Sequence, residues 1–254
     1  MSTTARPTEA EALLAALQDT PSTALTACGE WTAHDVAAHL AAACDEVTSH
    51  VRAYADGRPL TATRGFEERE APFRELPAGR LLTALEREEE TMRSVIGPVL
   101  AQEPDAVLTW TRRQMRVDAF LTHLRSECAI HRWDLAGDDQ VSQQLLGQFG
   151  LFKHAVTAIG AGPMTARGVA RGAAEGPPLT ARLRSEGHPD LMVTAGPPGV
   201  SLTLAAAEGD AAITSDQAAR LLLLWGRTPQ PPARAAITGP RAEALRVRRI
   251  LSGY

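Results

Sequence analysis

The spacing of apolar residues changes about two-thirds of the way along the chain. Before residue 160 apolar positions recur every three or four residues, which predicts amphipathic α-helices. The predicted helices cover residues 8–18, 32–56, 81–96, 114–136 and 141–159. Thr8 and Thr32 stand three residues before Glu11 and Asp35, a spacing typical of capping boxes. Gly137 follows the fourth helix as a predicted C-terminal cap.

Prolines and glycines interrupt this helical pattern. The loop from Arg58 to Pro77 is polar and charged, and Pro72 and Pro77 within it are predicted to break any regular element. Gly97 and Pro98 are predicted to bend or end the third helix. Prolines in these places predict a bundle whose helices are separated by loops.

A segment rich in glycine and alanine, residues 161–178, predicts a linker between two domains. After it, short and partly alternating apolar runs between turn residues predict an antiparallel sheet. The predicted strands are residues 179–185, 191–194, 201–204, 211–214 and 235–238. Ser215 or Asp216 is expected to cap a helix, and Pro240 to begin the last one. The expected fold class is α+β, with a helical bundle over 1–160 and a smaller α+β domain over 179–254.

Composition narrows the classes of function. Hydrophobic residues make up 44% and charged residues 22% of the chain, as in globular proteins. The net charge of −4, with both signs interspersed, argues against a nucleic-acid partner. No apolar run is long enough to cross a membrane, and no signal peptide is evident. Three widely spaced cysteines indicate reduced thiols. We therefore expect a cytoplasmic protein.

The fourth predicted helix carries polar residues on its buried face. Glu127, His131 and Asp134 follow Phe120 and Leu124 at spacings of three and four, which places all five on one stripe. An inward carboxylate is costly unless something neutralises it, and a metal ion would do so. Asp134 is placed to hydrogen-bond within such a site or to a substrate. A hydrogen-bonded polar network in the core is the alternative.

A third ligand is expected from the second helix, where His39 lies at the edge of the apolar face. Two imidazoles and one carboxylate with an open fourth position are typical of catalytic zinc. His50 and Glu46 continue the edge on which His39 lies, and His123 precedes Glu127 by one turn. Each of these three is an alternative ligand, or a residue lining the site.

Three motifs resemble the mycothiol-dependent maleylpyruvate isomerase family, which belongs to the DinB-like superfamily of metal-binding bundles. They are W-T-x-H-D-V-x-x-H-L over 31–40, E-x-x-x-H-R-W-D-L over 127–135 and L-L-L-L-W-G-R over 221–227. The resemblance covers nearly the whole chain. The charged loop from Arg58 to Pro77 matches nothing in the family's pattern, so substrate selection could differ.

The resemblance implies an N-terminal DinB-like four-helix bundle that binds zinc through His39, Glu127 and His131. It also implies a C-terminal α+β domain in which Arg227 contacts an anion. The implied cosubstrate is mycothiol, a small thiol that becomes nucleophilic as its thiolate. The expected partners are this thiol and a small electrophilic metabolite, and the expected state is a monomer or small homo-oligomer.

The sequence leaves the reaction open. Addition of the thiol followed by its elimination would isomerise a substrate such as maleylpyruvate, and addition alone would be S-transfer. The same ligand set can activate water, so a zinc hydrolase or a thiol-independent tailoring enzyme is an alternative. Its general base would be Asp134, Glu46 or His123. A non-catalytic binding protein stabilised by its metal is the third possibility.

Overall fold

A computed structural model describes residues 7–111, 113–160, 176–197 and 199–251 of the 254-residue chain. Contacts between residues divide the chain into two compact units, 1–137 and 138–254. The first unit is mainly helical. The second combines helices with a five-stranded sheet.

Five helices and one hairpin build the first unit. They are α1 (Glu9–Asp19), α2 (Ala33–Ala55), α3 (Phe66–Arg74), α4 (Ala78–Gln102), β1 (Val107–Trp110), β2 (Arg113–Arg116) and α5 (Val117–Ala136). Helices α1, α2, α4 and α5 pack as a four-helix bundle around a core of aliphatic and aromatic side chains. Both predicted capping boxes are confirmed, at Thr8 with Glu11 and at Thr32 with Asp35. Gly137 ends α5 with φ of 72°, as predicted for a helix cap.

The predicted break at Pro72 is wrong, and the third predicted helix does not end at Gly97 and Pro98; the bend that was the alternative there stays a prediction. The expected loop around Pro72 contains α3, and α4 continues through Pro98 to Gln102. A proline inside a helix removes one backbone hydrogen bond, and contacts with other elements can offset that loss. Helix α3 packs on α2, and the last turns of α4 bury Ile96 and Val99.

The start of the fourth predicted helix is also wrong. Residues 114–116 lie in β2, which pairs antiparallel with β1, and α5 begins only at Val117. The hairpin buries Leu108, Trp110 and Met115 against the bundle. The pairing of β2 with β1, a strand that the sequence pattern did not predict, therefore outweighs the helical pattern of residues 114–116.

The second unit begins with two helices where the sequence predicted one. Helix α6 (Gln140–Leu146) ends at Gly147, and α7 (Phe149–Gly160) follows it. The division of the chain at residue 137 precedes the predicted domain boundary, and most of the predicted linker, residues 161–175, lies outside the described residues. No described helix is both long and apolar enough to cross a lipid bilayer.

A sheet of strand order β5-β4-β3-β6-β7 forms the rest of the second unit. Its elements are β3 (Leu179–Arg184), β4 (Asp190–Gly196), β5 (Gly199–Ala205), β6 (Ile213–Ser215), α8 (Gln217–Leu224), β7 (Ala235–Ile237) and α9 (Arg241–Leu251). The predicted cap Asp216 is confirmed. The sheet is not wholly antiparallel, because β3 and β6 pair in parallel. Strands joined by a long connection can pair in either direction, which short strand signals do not distinguish.

Candidate metal centre

The three predicted ligands meet inside the first unit. Helix α2 carries His39, and α5 carries Glu127 and His131 one turn apart. The Glu127 Oε2 atom lies 3.7 Å from His39 Nε2 and 3.5 Å from His131 Nε2. One ligand atom from each residue lies within 4.8 Å of the other two. Both histidines are buried, so the three donors converge in a place with little solvent.

A carboxylate is hydrogen-bonded to the Nδ1 atom of each imidazole, the ring nitrogen that does not face Glu127. His39 Nδ1 lies 2.7 Å from Glu70 Oε1, and His131 Nδ1 lies 2.9 Å from Asp134 Oδ2. An ionised carboxylate only accepts hydrogen bonds, so Nδ1 is the donor in both pairs. With Nδ1 engaged in this way, Nε2 is the ring nitrogen that faces Glu127 and that would bind an ion. Metal-binding histidines are commonly oriented in this way.

Glu70 is itself held in place on α3. Its side chain is fully buried, and its Oε2 atom accepts a hydrogen bond of 2.7 Å from Arg74 Nη2. The guanidinium of Arg74 also lies 3.5 Å from Asp35 near the start of α2. Helix α3 is therefore tied to α2 through the carboxylate that orients His39.

The charges of the site stabilise one another. Burial alone would raise the pKa of Glu127, but its interactions with His131 and His39 hold that pKa well below the ordinary value. Burial would lower the pKa of His131, but Asp134 and Glu127 outweigh it and raise that pKa. Glu127 is therefore an anion that attracts a cation to this position.

Aromatic rings surround the donors. The Trp31 ring stacks on His131, with 5.9 Å between centroids and an angle of 14° between planes, and lies 4.9 Å from His39. The Phe66 ring of α3 lies 5.7 Å from His39. A mainly apolar cavity of about 20 Å³ borders Glu127 and His123, with room for roughly one water molecule.

The donor set fits a zinc ion. Two imidazole nitrogens and one carboxylate oxygen match the ligands of catalytic zinc sites, and each imidazole presents its Nε2 atom to Glu127. A second group that could hold a metal, Cys28 with His131 and Asp134, shares one histidine with the first. In that group Asp134 and His131 already bond each other, and an ion would have to disrupt the pair. We therefore favour the set of His39, Glu127 and His131.

The alternative ligands have other partners. His50 Nδ1 lies 2.9 Å from the Glu46 carbonyl oxygen, and His50 Nε2 lies 3.1 Å from the Thr61 carbonyl oxygen. The Glu46 carboxylate accepts hydrogen bonds from the backbone and side chain of Arg64. His123 borders the site, with Nε2 3.8 Å from Glu127 Oε1, and burial lowers its pKa. Of the three, only His123 reaches the site.

Arg227 lies in the second unit, just after α8. It is buried, and Nη1 donates a hydrogen bond of 3.0 Å to the Trp225 carbonyl. This contact closes the C-terminal end of α8. The assignment of Arg227 as an anion contact stays a prediction.

Sequence reasoning missed the residues that α3 adds to the site. Glu70 and Arg69 are buried there, although the segment was interpreted as a loop. Acidic residues in the first turn and an i,i+4 pair of Glu70 and Arg74 were signals of a helix. The sequence motif that contains Trp31 gives no sign that its ring stacks on His131.

Comparisons with known proteins found a matching family model and similar solved structures. A model of the mycothiol maleylpyruvate isomerase N-terminal domain matches residues 5–136. The crystal structure of the mycothiol-dependent maleylpyruvate isomerase is similar at 13% identity and a TM-score of 0.64. A crystal structure of a histidine-to-alanine mutant of that isomerase gives 14% and 0.62, and both comparisons cover 91% of this chain and 88% of the other. The search of curated proteins found no match. The predicted fold, a DinB-like bundle followed by an α+β domain, is confirmed.

Proposed function

Because the chain belongs to the mycothiol maleylpyruvate isomerase family, we propose that it is a zinc-dependent enzyme that uses a small thiol to attack an electrophilic metabolite. The thiol is mycothiol, and the reaction is isomerisation or S-transfer. The observation that carries this proposal is the convergence of His39 Nε2, His131 Nε2 and Glu127 Oε2, with a carboxylate behind each imidazole.

Each residue of the site has a separate role in this proposal. His39, Glu127 and His131 hold the ion, and Glu70 and Asp134 keep the two imidazoles in the binding tautomer. When bound, zinc supplies the positive charge that favours the thiolate form of a thiol near neutral pH. Arg227 is proposed to contact an anionic group of the thiol or of the substrate.

The chemistry then resides in the thiol and the substrate. The thiolate sulfur would form a bond to one carbon of a double bond conjugated with a carbonyl group, the π electrons would move onto the carbonyl oxygen as an enolate, and the remaining carbon–carbon single bond could rotate. Return of those electrons would expel the same thiolate and give the trans isomer, whereas protonation of the enolate carbon from solvent would give a conjugate. The buried donors and the rings of Trp31 and Phe66 would limit water near the reacting sulfur.

A zinc hydrolase is less well supported. Such an enzyme needs a general base beside the ion, and Asp134 and Glu46 are both engaged with other side chains. His123 remains as a base, because burial lowers its pKa and favours the neutral imidazole. Turnover of an ester or amide without any thiol would favour hydrolysis over our proposal.

The test of the metal site is loss of zinc from three variants. We expect His39→Ala and Glu127→Ala to lose stoichiometric zinc, as measured by elemental analysis of purified protein. His131→Ala should lose zinc as well, although that residue belongs to both candidate groups. The matched control is His188→Ala, whose imidazole stacks on Phe149 in the second unit, which holds none of the three donors.

Two results would contradict the proposal. Wild-type protein that neither contains zinc nor takes it up would exclude the metal centre. Zinc-loaded protein that converts no electrophile with mycothiol, yet keeps its metal, would support a binding protein stabilised by the ion. Conversion of maleylpyruvate to its trans isomer would separate isomerisation from S-transfer, in which the conjugate accumulates.

We further propose a cytoplasmic location and a monomer or small homo-oligomer. The support for the location is that Cys28, Cys44 and Cys128 are all free of disulfides. Cell fractionation and size-exclusion chromatography measure the two properties. Recovery of the protein outside the cytoplasm would overturn the first.

A further inference from the structure

One edge strand of the sheet in the second unit is long and carries no charge. Strand β5 lies at the end of the strand order, and among the residues that the structure describes it pairs with β4 alone. Its seven residues, G-V-S-L-T-L-A, include no charged residue and no proline. A strand of this length extends for about 24 Å, and the backbone N–H and C=O groups of alternate residues point away from β4.

The strand at the other end of the order differs from β5. Strand β7 has only three residues, Ala235–Ile237. Short edge strands, charged side chains and prolines are means by which proteins prevent pairing with a foreign strand. Strand β5 has none of these three features, so its sequence permits another strand to pair with it.

The residues of β5 match a second copy of the same strand. In an antiparallel pair with Leu202 opposite Leu202 of the other copy, all seven residues find a partner. Val200 then lies opposite Leu204, and Ser201 lies opposite Thr203. Apolar residues thus meet apolar residues on one face of the sheet, and hydroxyl groups meet on the other. Both kinds of cross-strand pair stabilise an antiparallel sheet.

The exposure of the β5 side chains fits this pairing. Leu202 is buried, whereas Val200 and Leu204 on the same face are only half-buried. A two-fold symmetric pair would place Val200 of each copy beside Leu204 of the other and remove part of this apolar surface from water. Ser201 and Thr203 are exposed on the opposite face, so substitutions there can probe the contact.

We propose that the edge of β5 is a homodimer interface, at which two copies of this chain join their sheets into one. A second copy is the partner because a two-fold contact uses the same self-matching row of residues on both sides. Backbone hydrogen bonds give the contact its affinity, and the alternate side chains give it its register. A single pair of strands is a small interface, so the dimer forms reversibly as protein concentration rises.

The experiment measures mass against protein concentration by sedimentation equilibrium. Ser201→Lys combined with Thr203→Lys places like charges directly opposite each other in the paired strands, and Ser201→Glu combined with Thr203→Glu does the same with negative charge. We expect wild-type protein to approach twice the 27.1 kDa of one chain as its concentration rises. Each double variant alone should need a concentration about tenfold higher. A mixture of the two should dimerise as readily as wild type, because lysine then lies opposite glutamate.

The matched control adds the same positive charge to inner strands of the sheet. Thr180→Lys combined with Thr214→Lys changes exposed residues of β3 and β6. This variant should dimerise as wild type does, because neither residue lies on the edge. Thermal unfolding verifies that each variant is folded, and dimers recovered in the mixture show that the new charges act across the interface.

Three results would overturn the proposal. They are a wild-type mass of one chain at every concentration up to the millimolar range, double variants that dimerise as readily as wild type, and a mixture of folded variants that stays monomeric. The proposed function is tested separately, because the three proposed zinc ligands lie in the first unit and β5 lies in the second. A monomeric protein that contains zinc would therefore contradict the interface alone, and a dimer without zinc would contradict only the metal centre.

Discussion

Glu70 and Asp134 do not touch the proposed ion, but each controls the direction of one imidazole. We expect Glu70→Gln and Asp134→Asn each to weaken zinc binding by about 10- to 100-fold, because the amide no longer favours the tautomer with a bare Nε2. Competition with a chromophoric chelator measures the affinity. Glu68→Gln, an exposed change on the same helix as Glu70, is the control. Wild-type affinity in both variants would contradict this role.

Cys28 decides between the two groups that could hold the ion. It lies with His131 and Asp134 in the second group and is absent from the first. We expect Cys28→Ala to retain stoichiometric zinc, because the favoured ligands are His39, Glu127 and His131. Elemental analysis beside Glu127→Ala measures this. Zinc retained in Glu127→Ala and lost in Cys28→Ala would reverse the assignment.

At the scale of elements, the start of α2 determines how firmly His39 is placed. Thr32 Oγ1 accepts a hydrogen bond from the Asp35 backbone, and the Asp35 carboxylate accepts one from the Thr32 backbone. We expect Thr32→Ala to lower the free energy of unfolding by about 1 kcal/mol, since the N-terminal amides of α2 lose their acceptor. Urea unfolding measures the change. Thr83→Ala, exposed within α4, should cost less, and equal losses would contradict the capping argument.

The elements also show what local sequence can and cannot predict. Helices α1 and α2 were predicted well because caps and apolar spacing act within a few residues. Helix α3 was missed because Pro72 outweighed the local helical signals, whereas its contacts with α2 depend on residues far away in the chain. The same reason explains the β1–β2 hairpin and the parallel pairing of β3 with β6.

The residues of the site also divide into those that local sequence predicts and those that depend on contacts between distant parts of the chain. Glu127 and His131 were predictable because one helix places them a turn apart on a buried face. His39 needed a second helix and the family resemblance. Glu70 and Arg69 depend on a helix whose position only tertiary contacts define, so no spacing rule could join them to His39. A site assembled from several helices is thus predictable mainly for the ligands that share one of them.

At the scale of the whole molecule, all three proposed zinc ligands lie in the first unit. The second unit has its own buried core, in which Arg220 of α8 is fully buried and its Nη1 atom lies 3.5 Å from the Leu183 carbonyl oxygen of β3. Its guanidinium donates a hydrogen bond to the Pro189 carbonyl at 2.7 Å, and Cζ lies 4.1 Å from the Phe152 ring centroid. Burial lowers the pKa of Arg220 to about 10, so it remains charged at neutral pH.

This separation predicts that the two units respond differently to one substitution. We expect Arg220→Met to destabilise the second unit by about 1–3 kcal/mol, because the Pro189 carbonyl loses its donor while methionine still fills the space over Phe152. Zinc content should stay at the wild-type value, since no ligand of the ion lies in that unit. Thermal unfolding and elemental analysis measure the two effects, and exposed Arg241→Met on α9 is the control. Loss of zinc from folded Arg220→Met protein would mean that the metal centre depends on the second unit, contrary to this division.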